Sequence, residues 1–76
     1  MKITLKAARV NKGLTQEEAA IKIGVTKDTI SNWERGKSYP DALNLKGIEE
    51  VYGISYNNII FLPRNYGLTV KRSDVI

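Results

Sequence analysis

The chain contains no cysteine and no histidine. Without cysteine there is no disulfide to staple the fold and no thiolate to attack a substrate or hold a metal. Without histidine, the commonest neutral-pH base and the commonest nitrogen ligand for metals are missing too. No nucleophile-and-base constellation stands out among the remaining side chains, so the sequence points away from an enzyme and requires no cofactor. Proline occurs only at Pro40 and Pro63, each closing a segment. No apolar run approaches the roughly 20 residues a membrane-spanning helix needs. The opening Met1-Lys2-Ile3-Thr4-Leu5-Lys6 has charges with no apolar stretch behind them, unlike a secretory signal. The expectation is a soluble, cytoplasmic protein with no membrane partner and no small-molecule ligand.

What is present is charge, unevenly placed. The 76 residues carry a net charge of +4. Residues 1–40 hold Lys2, Lys6, Arg9, Lys12, Lys22, Lys27, Arg35 and Lys37 against Glu17, Glu18, Asp28 and Glu34, while residues 41–76 are balanced. The whole excess therefore lies in the first half. That pattern fits either a face that meets a polyanion or a solvated surface that is simply basic. The length suggests one domain with a modest core.

Residues 1–63 read as an all-α domain, a compact bundle of five short helices separated by glycine turns, with 64–76 as a C-terminal tail. The first helix is expected over about residues 2–11, ending at Gly13. Thr15-Gln16-Glu17-Glu18 has the form of a capping box, which starts the second. Ala19, Ala20 and Ile23 form its apolar stripe, and Gly24 suits the left-handed backbone of a helix end. Thr26 can cap a third helix with Ile30 and Trp33 facing inward and Gly36 as its stop. Pro40 and Asp41 are expected to open the fourth, proline suiting the first helical position. Its stripe is Ala42, Leu45, Ile48 and Tyr52, with Gly47 inside it and Gly53 at its end. Ser55 is expected to cap a fifth helix carrying Ile59, Ile60 and Leu62. The tail holds a turn at Arg64-Asn65-Tyr66-Gly67 and a strand-like Leu68-Thr69-Val70-Lys71, and its conformation stays open.

The informative stretch is residues 15–36. Two short helices joined by a glycine-containing turn cross at a steep angle. Ala19 and Ala20 allow close approach, Val25 fills the corner, and Ile30 with Trp33 buries the second of the pair. The opposite face shows Lys27, Asp28, Ser31, Asn32 and Arg35. Short or basic hydrogen-bonding side chains of this kind read base edges in a major groove wide enough for a helix.

These residues resemble the Cro/repressor-type helix-turn-helix family, also called XRE or lambda-repressor-like. The resemblance runs from residue 5 to about 62. It rests on Leu14-Thr15-Gln16-Glu17-Glu18, Ile23-Gly24-Val25, Ile30-Ser31-Asn32-Trp33-Glu34-Arg35-Gly36, and Leu45-Lys46-Gly47-Ile48 through Gly53-Ile54-Ser55. The family implies a second helix in the major groove and a two-fold dimer. It also implies roles for matching residues. Lys27, Asp28, Ser31 and Asn32 would face bases. Gln16, Arg35, Lys37 and Ser38 would touch phosphate. Arg9 and Glu34 would form an internal salt bridge, and Trp33 would belong to the core. Bland readings stand beside these. Gln16 serves equally as a helix former, Lys27 as a solvated lysine, Asp28 as a complement to the helix dipole, and Ser31 as a group that meets only water.

The function expected is a nucleoid-associated regulator of transcription that recognises double-stranded DNA by sequence. A single domain of this kind covers only about 600–1,000 Å² of DNA, so a homodimer on a palindrome is expected. The short length suggests a phage or mobile-element repressor of the Cro kind, dimerising through Ile59-Ile60-Phe61-Leu62 or the tail. The alternative is an antitoxin that binds its own promoter and a protein toxin. A protein-interaction or RNA-binding module on the same fold is the third reading.

Overall fold

The computed structural model describes residues 2–62. The tail expected at 64–76 lies outside the described residues. Two short strands, four α-helices and one 3-10 turn occur in the order β1 (Ile3–Thr4), α1 (Leu5–Asn11), α2 (Gln16–Ile23), α3 (Lys27–Glu34), α4 (Ala42–Tyr52), the 3-10 turn (Tyr56–Asn58) and β2 (Ile59–Ile60). No helix among the described residues is long and apolar enough to cross a membrane.

Each helix begins at a side-chain cap that satisfies amides its own ladder leaves unpaired. The Thr4 hydroxyl accepts from the Ala7 amide at 3.1 Å, so α1 starts at Leu5, later than its apolar pattern suggests. Thr15 and Glu18 form the reciprocal box, with the Glu18 amide donating to Thr15 Oγ1 at 3.0 Å and the Thr15 amide to Glu18 Oε1 at 2.9 Å. The Thr29 amide donates to Thr26 Oγ1 at 3.1 Å. At α4 the cap is Asp41, whose carboxylate accepts from the Asn44 amide at 2.9 Å. Pro40 therefore sits one residue before the cap, not at the first helical position, and is buried there.

The expectation of five helices is not met. The segment after α4 makes one 3-10 turn at Ser55 and then extends. Ile59 and Ile60 pair in parallel with Ile3 and Thr4, in the register Ile3 with Ile59 and Thr4 with Ile60. The cause is steric and topological. Two adjacent β-branched residues favour extended backbone, and the start of the chain offers an edge for them to pair with. The pairing also divides the apolar run. Ile59 is buried in the core and Phe61 packs against it, whereas Ile60 and Leu62 are exposed.

The core gathers residues from all four helices and β2: Leu5 and Ala8 from α1, Ala19 and Ala20 from α2, Ile30 and Trp33 from α3, Ile48 and Tyr52 from α4, and Ile59 from β2. Ile23, Val25 and Leu14 pack around its rim. After α3, the Tyr39 ring stands edge-on to Phe61 with centroids 6.3 Å apart, and its hydroxyl donates to the Leu62 carbonyl.

Gly47 lies inside α4, where glycine costs about 1 kcal/mol relative to alanine. A Cβ built there would meet Ile23 Cγ2 at 3.6 Å, an ordinary van der Waals distance. Gly47→Ala should therefore raise stability by about 0.5–1 kcal/mol, read as a higher urea midpoint at unchanged slope. A lower midpoint would show that α2 and α4 cannot accommodate the methyl group.

Candidate nucleic-acid interface

Helices α2 and α3 are joined by Gly24-Val25-Thr26. Gly24 closes α2 with φ 94°, a backbone that residues with a Cβ rarely adopt, and its amide donates to the Ala20 carbonyl at 2.8 Å. Val25 packs on the core and its amide also reaches Ala20, at 3.0 Å. The turn is thus fixed by backbone geometry, and α3 is seated by Ile30 and Trp33, which are 1% and 5% exposed.

With that face buried, the other face of α3 is turned outward. Lys27, Asp28 and Arg35 are exposed, and Ser31 and Asn32 are half-buried. These five lie at positions that repeat along one side of a helix. The C-terminal end of α3 is tightly closed. Gly36 takes φ 75°, its amide donates to the Trp33 carbonyl at 3.3 Å, and the Lys37 amide donates to the Asn32 carbonyl at 2.9 Å. This is the Schellman arrangement, in which the left-handed residue turns the chain back over the last turn. The Ser38 amide reaches the same carbonyl at 3.5 Å. Lys37 and Ser38 are consequently held beside Asn32 at the end of α3.

The start of α2 is tied to the same end. Glu34 is the centre of the junction. Arg9 grips its carboxylate with two nitrogens, Nε to Oε2 at 2.6 Å and Nη2 to Oε1 at 3.2 Å. Gln16 Nε2 donates to Oε1 at 3.1 Å. Arg9 Nη1 also donates to the Leu14 carbonyl at 2.8 Å. The pair is nearly dry, with the Arg9 and Glu34 side chains 9% and 5% exposed. The hydrogen bond to Glu34 raises the Arg9 guanidinium above its ordinary value, outweighing the burial that lowers it. Burial pushes the Tyr52 phenol up to about 12, with the Glu34 charge adding to the shift and Arg9 opposing it. Near neutral pH, then, Tyr52 stays neutral beside a charged Arg9.

The junction brings Gln16, from the first turn of α2, to the C-terminal end of α3. Three helices meet at one carboxylate, and Gln16, Asn32, Arg35, Lys37 and Ser38 are gathered around the end of α3. Lys27 and Asp28 lie one helix length away, at its start. The Gln16–Glu34 bond and a bond from Arg35 Nη2 to Asn32 Oδ1 at 3.1 Å were not anticipated from sequence. The second had a visible signal, since residues three apart on a helix are neighbours.

The helix-turn-helix family profile matches residues 5–58. The chain belongs to the Cro/repressor-type helix-turn-helix family. That family comprises DNA-binding regulators and not enzymes. Over 56 residues the helix-turn-helix chain is 36% identical to the HTH-type transcriptional activator BcrR of Enterococcus faecalis, covering 74% of this chain and 28% of the relative. It is likewise 36% identical over 56 residues to the HTH-type transcriptional regulator ImmR of Bacillus subtilis, covering 44% of that protein. An uncharacterized HTH-type transcriptional regulator of Sinorhizobium fredii, y4dJ, is 33% identical over 52 residues, 68% of each chain. The match thus spans less than half the length of the first two relatives.

Proposed function

We propose that this helix-turn-helix domain binds double-stranded DNA by sequence, as a homodimer on a two-fold operator, and represses by occupying it. The observation that carries the reading is the arrangement around α3. One face is sealed into the core while Lys27, Asp28, Ser31, Asn32 and Arg35 occupy the other, and Gln16, Lys37 and Ser38 flank its end. A helix fits the major groove, and flanking donors on both sides of it can hold the sugar-phosphate backbone. Lys27, Asp28, Ser31 and Asn32 take the base edges, Asp28 by accepting from a cytosine amino group. Gln16, Arg35, Lys37 and Ser38 take phosphates. Gln16 keeps a second amide hydrogen for this purpose, because only one is needed for Glu34.

Association of two copies is supported by apolar residues exposed in and beside the 3-10 turn and β2, among the described residues. Ile60, Leu62 and Tyr56 are 43%, 39% and 51% exposed.

The electrostatic part of the proposal is testable without knowing the operator. Binding should weaken with salt, because each phosphate contacted releases condensed counterions. Lys37→Ala should lower the slope of log K against log salt by about one. An unchanged slope would remove Lys37 from the phosphate set, and a wild-type slope near zero would remove DNA as the ligand.

A further inference from the structure

The bond from Arg35 to Asn32 has a consequence for which base is read. We propose that Arg35 is a positioning residue that fixes the polarity of the Asn32 carboxamide and so sets a preference for adenine over guanine at the base Asn32 faces. The inference rests on α3 being the reading helix and deepens that proposal.

A carboxamide has two edges of nearly the same shape and opposite chemistry: an oxygen that accepts and an NH2 that donates. Half a turn about its terminal torsion exchanges them. Whichever edge faces the groove decides which base is bound. Arg35 removes this freedom. A guanidinium has donors only, and Arg35 Nη2 lies 3.1 Å from Asn32 Oδ1. Exchanging the edges would set NH2 hydrogens against guanidinium hydrogens, replacing an attraction with donor-to-donor repulsion.

The main chain beneath the amide is fixed as well. The Asn32 carbonyl accepts from the Lys37 amide at 2.9 Å and from the Ser38 amide at 3.5 Å. Asn32 is thus held at its backbone by the loop after α3 and at its side chain by Arg35, the residue that caps α3. The backbone anchor depends on the left-handed Gly36, at φ 75°.

An oxygen has two lone pairs, so Oδ1 can accept from Arg35 and still accept from a base, while Nδ2 donates. Adenine offers the complement, an amino donor at N6 and an acceptor at N7. Guanine offers two acceptors, O6 and N7. Against guanine the fixed oxygen meets an acceptor. A freely turning amide would answer by presenting its NH2 group instead, and the fixed one cannot. Arg35 therefore acts through Asn32, over and above any phosphate it touches.

The test uses the full chain and duplexes taken from a random-DNA selection, with binding measured for all four bases at each position. The wild type should favour adenine over guanine by roughly ten-fold or more at one base pair per half-site. Asn32→Ala should abolish that preference and leave the other positions alone. Arg35→Met should lower the adenine-to-guanine ratio at the same base pair by roughly 3–10-fold, a partial loss of one bidentate contact. Arg35→Lys, which keeps the charge and a donor, should recover the salt slope and part of the ratio. In an Asn32→Ala background, Arg35→Met should change no base preference. Circular dichroism melts control for folding, and Arg35 is exposed.

The ways of failing are separable. If Asn32→Ala leaves every base preference intact, Asn32 is no base reader and the underlying reading falls with the proposal. If Asn32→Ala abolishes the preference but Arg35→Met weakens all sequences equally, Arg35 is a phosphate contact alone and only the positioning role is overturned.

Discussion

Trp33→Ala should lose about 3–5 kcal/mol of stability and melt well below the wild type. Trp33 is 5% exposed and lies in a core that takes residues from all four helices and β2. Truncating a buried tryptophan costs about 3–5 kcal/mol, through lost transfer energy and the cavity left behind. A chain of 76 residues has only about 4–11 kcal/mol in total, at the usual stability per residue. Each kcal/mol moves the melting temperature of so small a domain by about 4–8 °C, so the drop should exceed about 12 °C. Trp33 is the only tryptophan, so its own fluorescence disappears with it and far-ultraviolet circular dichroism is the appropriate probe. Trp33→Phe, which refills most of the space, should recover more than half the loss. A Trp33→Ala variant that melts near the wild type would mean that α3 is not seated by this side chain.

Arg9→Met should be nearly as damaging, for an electrostatic reason. It leaves the Glu34 carboxylate, 5% exposed, with Gln16 as its remaining side-chain donor, and leaves the Leu14 carbonyl without its partner. Removing one member of a buried pair costs about 3–5 kcal/mol, because the other charge stays dry and uncompensated. Replacing both, as Arg9→Met with Glu34→Leu, removes the stranded charge and should be less destabilised than Arg9→Met alone. Chemical denaturation of the two singles and the double gives the coupling directly. A single-variant loss below about 1 kcal/mol is the value for an exposed ion pair, and it would contradict the burial of this one. Because Glu34 also holds Gln16, the same variants should weaken the proposed phosphate grip of α2.

The parts of this fold that could be read from sequence are the parts governed by neighbours. Thr15 with Glu18, Gly24 and Thr26 bound α2 and α3 through contacts a few residues apart, and those boundaries follow from hydrogen-bond chemistry alone. The outward face of α3 was legible for the same reason: once Ile30 and Trp33 point inward, the positions of Lys27, Asp28, Ser31, Asn32 and Arg35 follow from helical periodicity. What could not be read is non-local. Ile59 and Ile60 look like one side of a helix until Ile3 and Thr4 are brought beside them, and nothing near residue 59 announces that partner. The late start of α1 has the same origin, since Ile3 and Thr4 are committed to the strand and Thr4 to the cap. Arg9 and Glu34 are 25 residues apart, and only the resemblance to the family suggested their pairing. The junction at Glu34, with Gln16 added to it, emerges only when three helices are packed.

Selection of the full chain against a pool of random duplexes is the most direct test that α3 reads duplex DNA in a two-fold complex. The expected result is enrichment of a single motif with two inverted half-sites whose centres lie about 10 base pairs apart. Recovery of no enriched motif, with binding equal across all sequences in the pool, would contradict it.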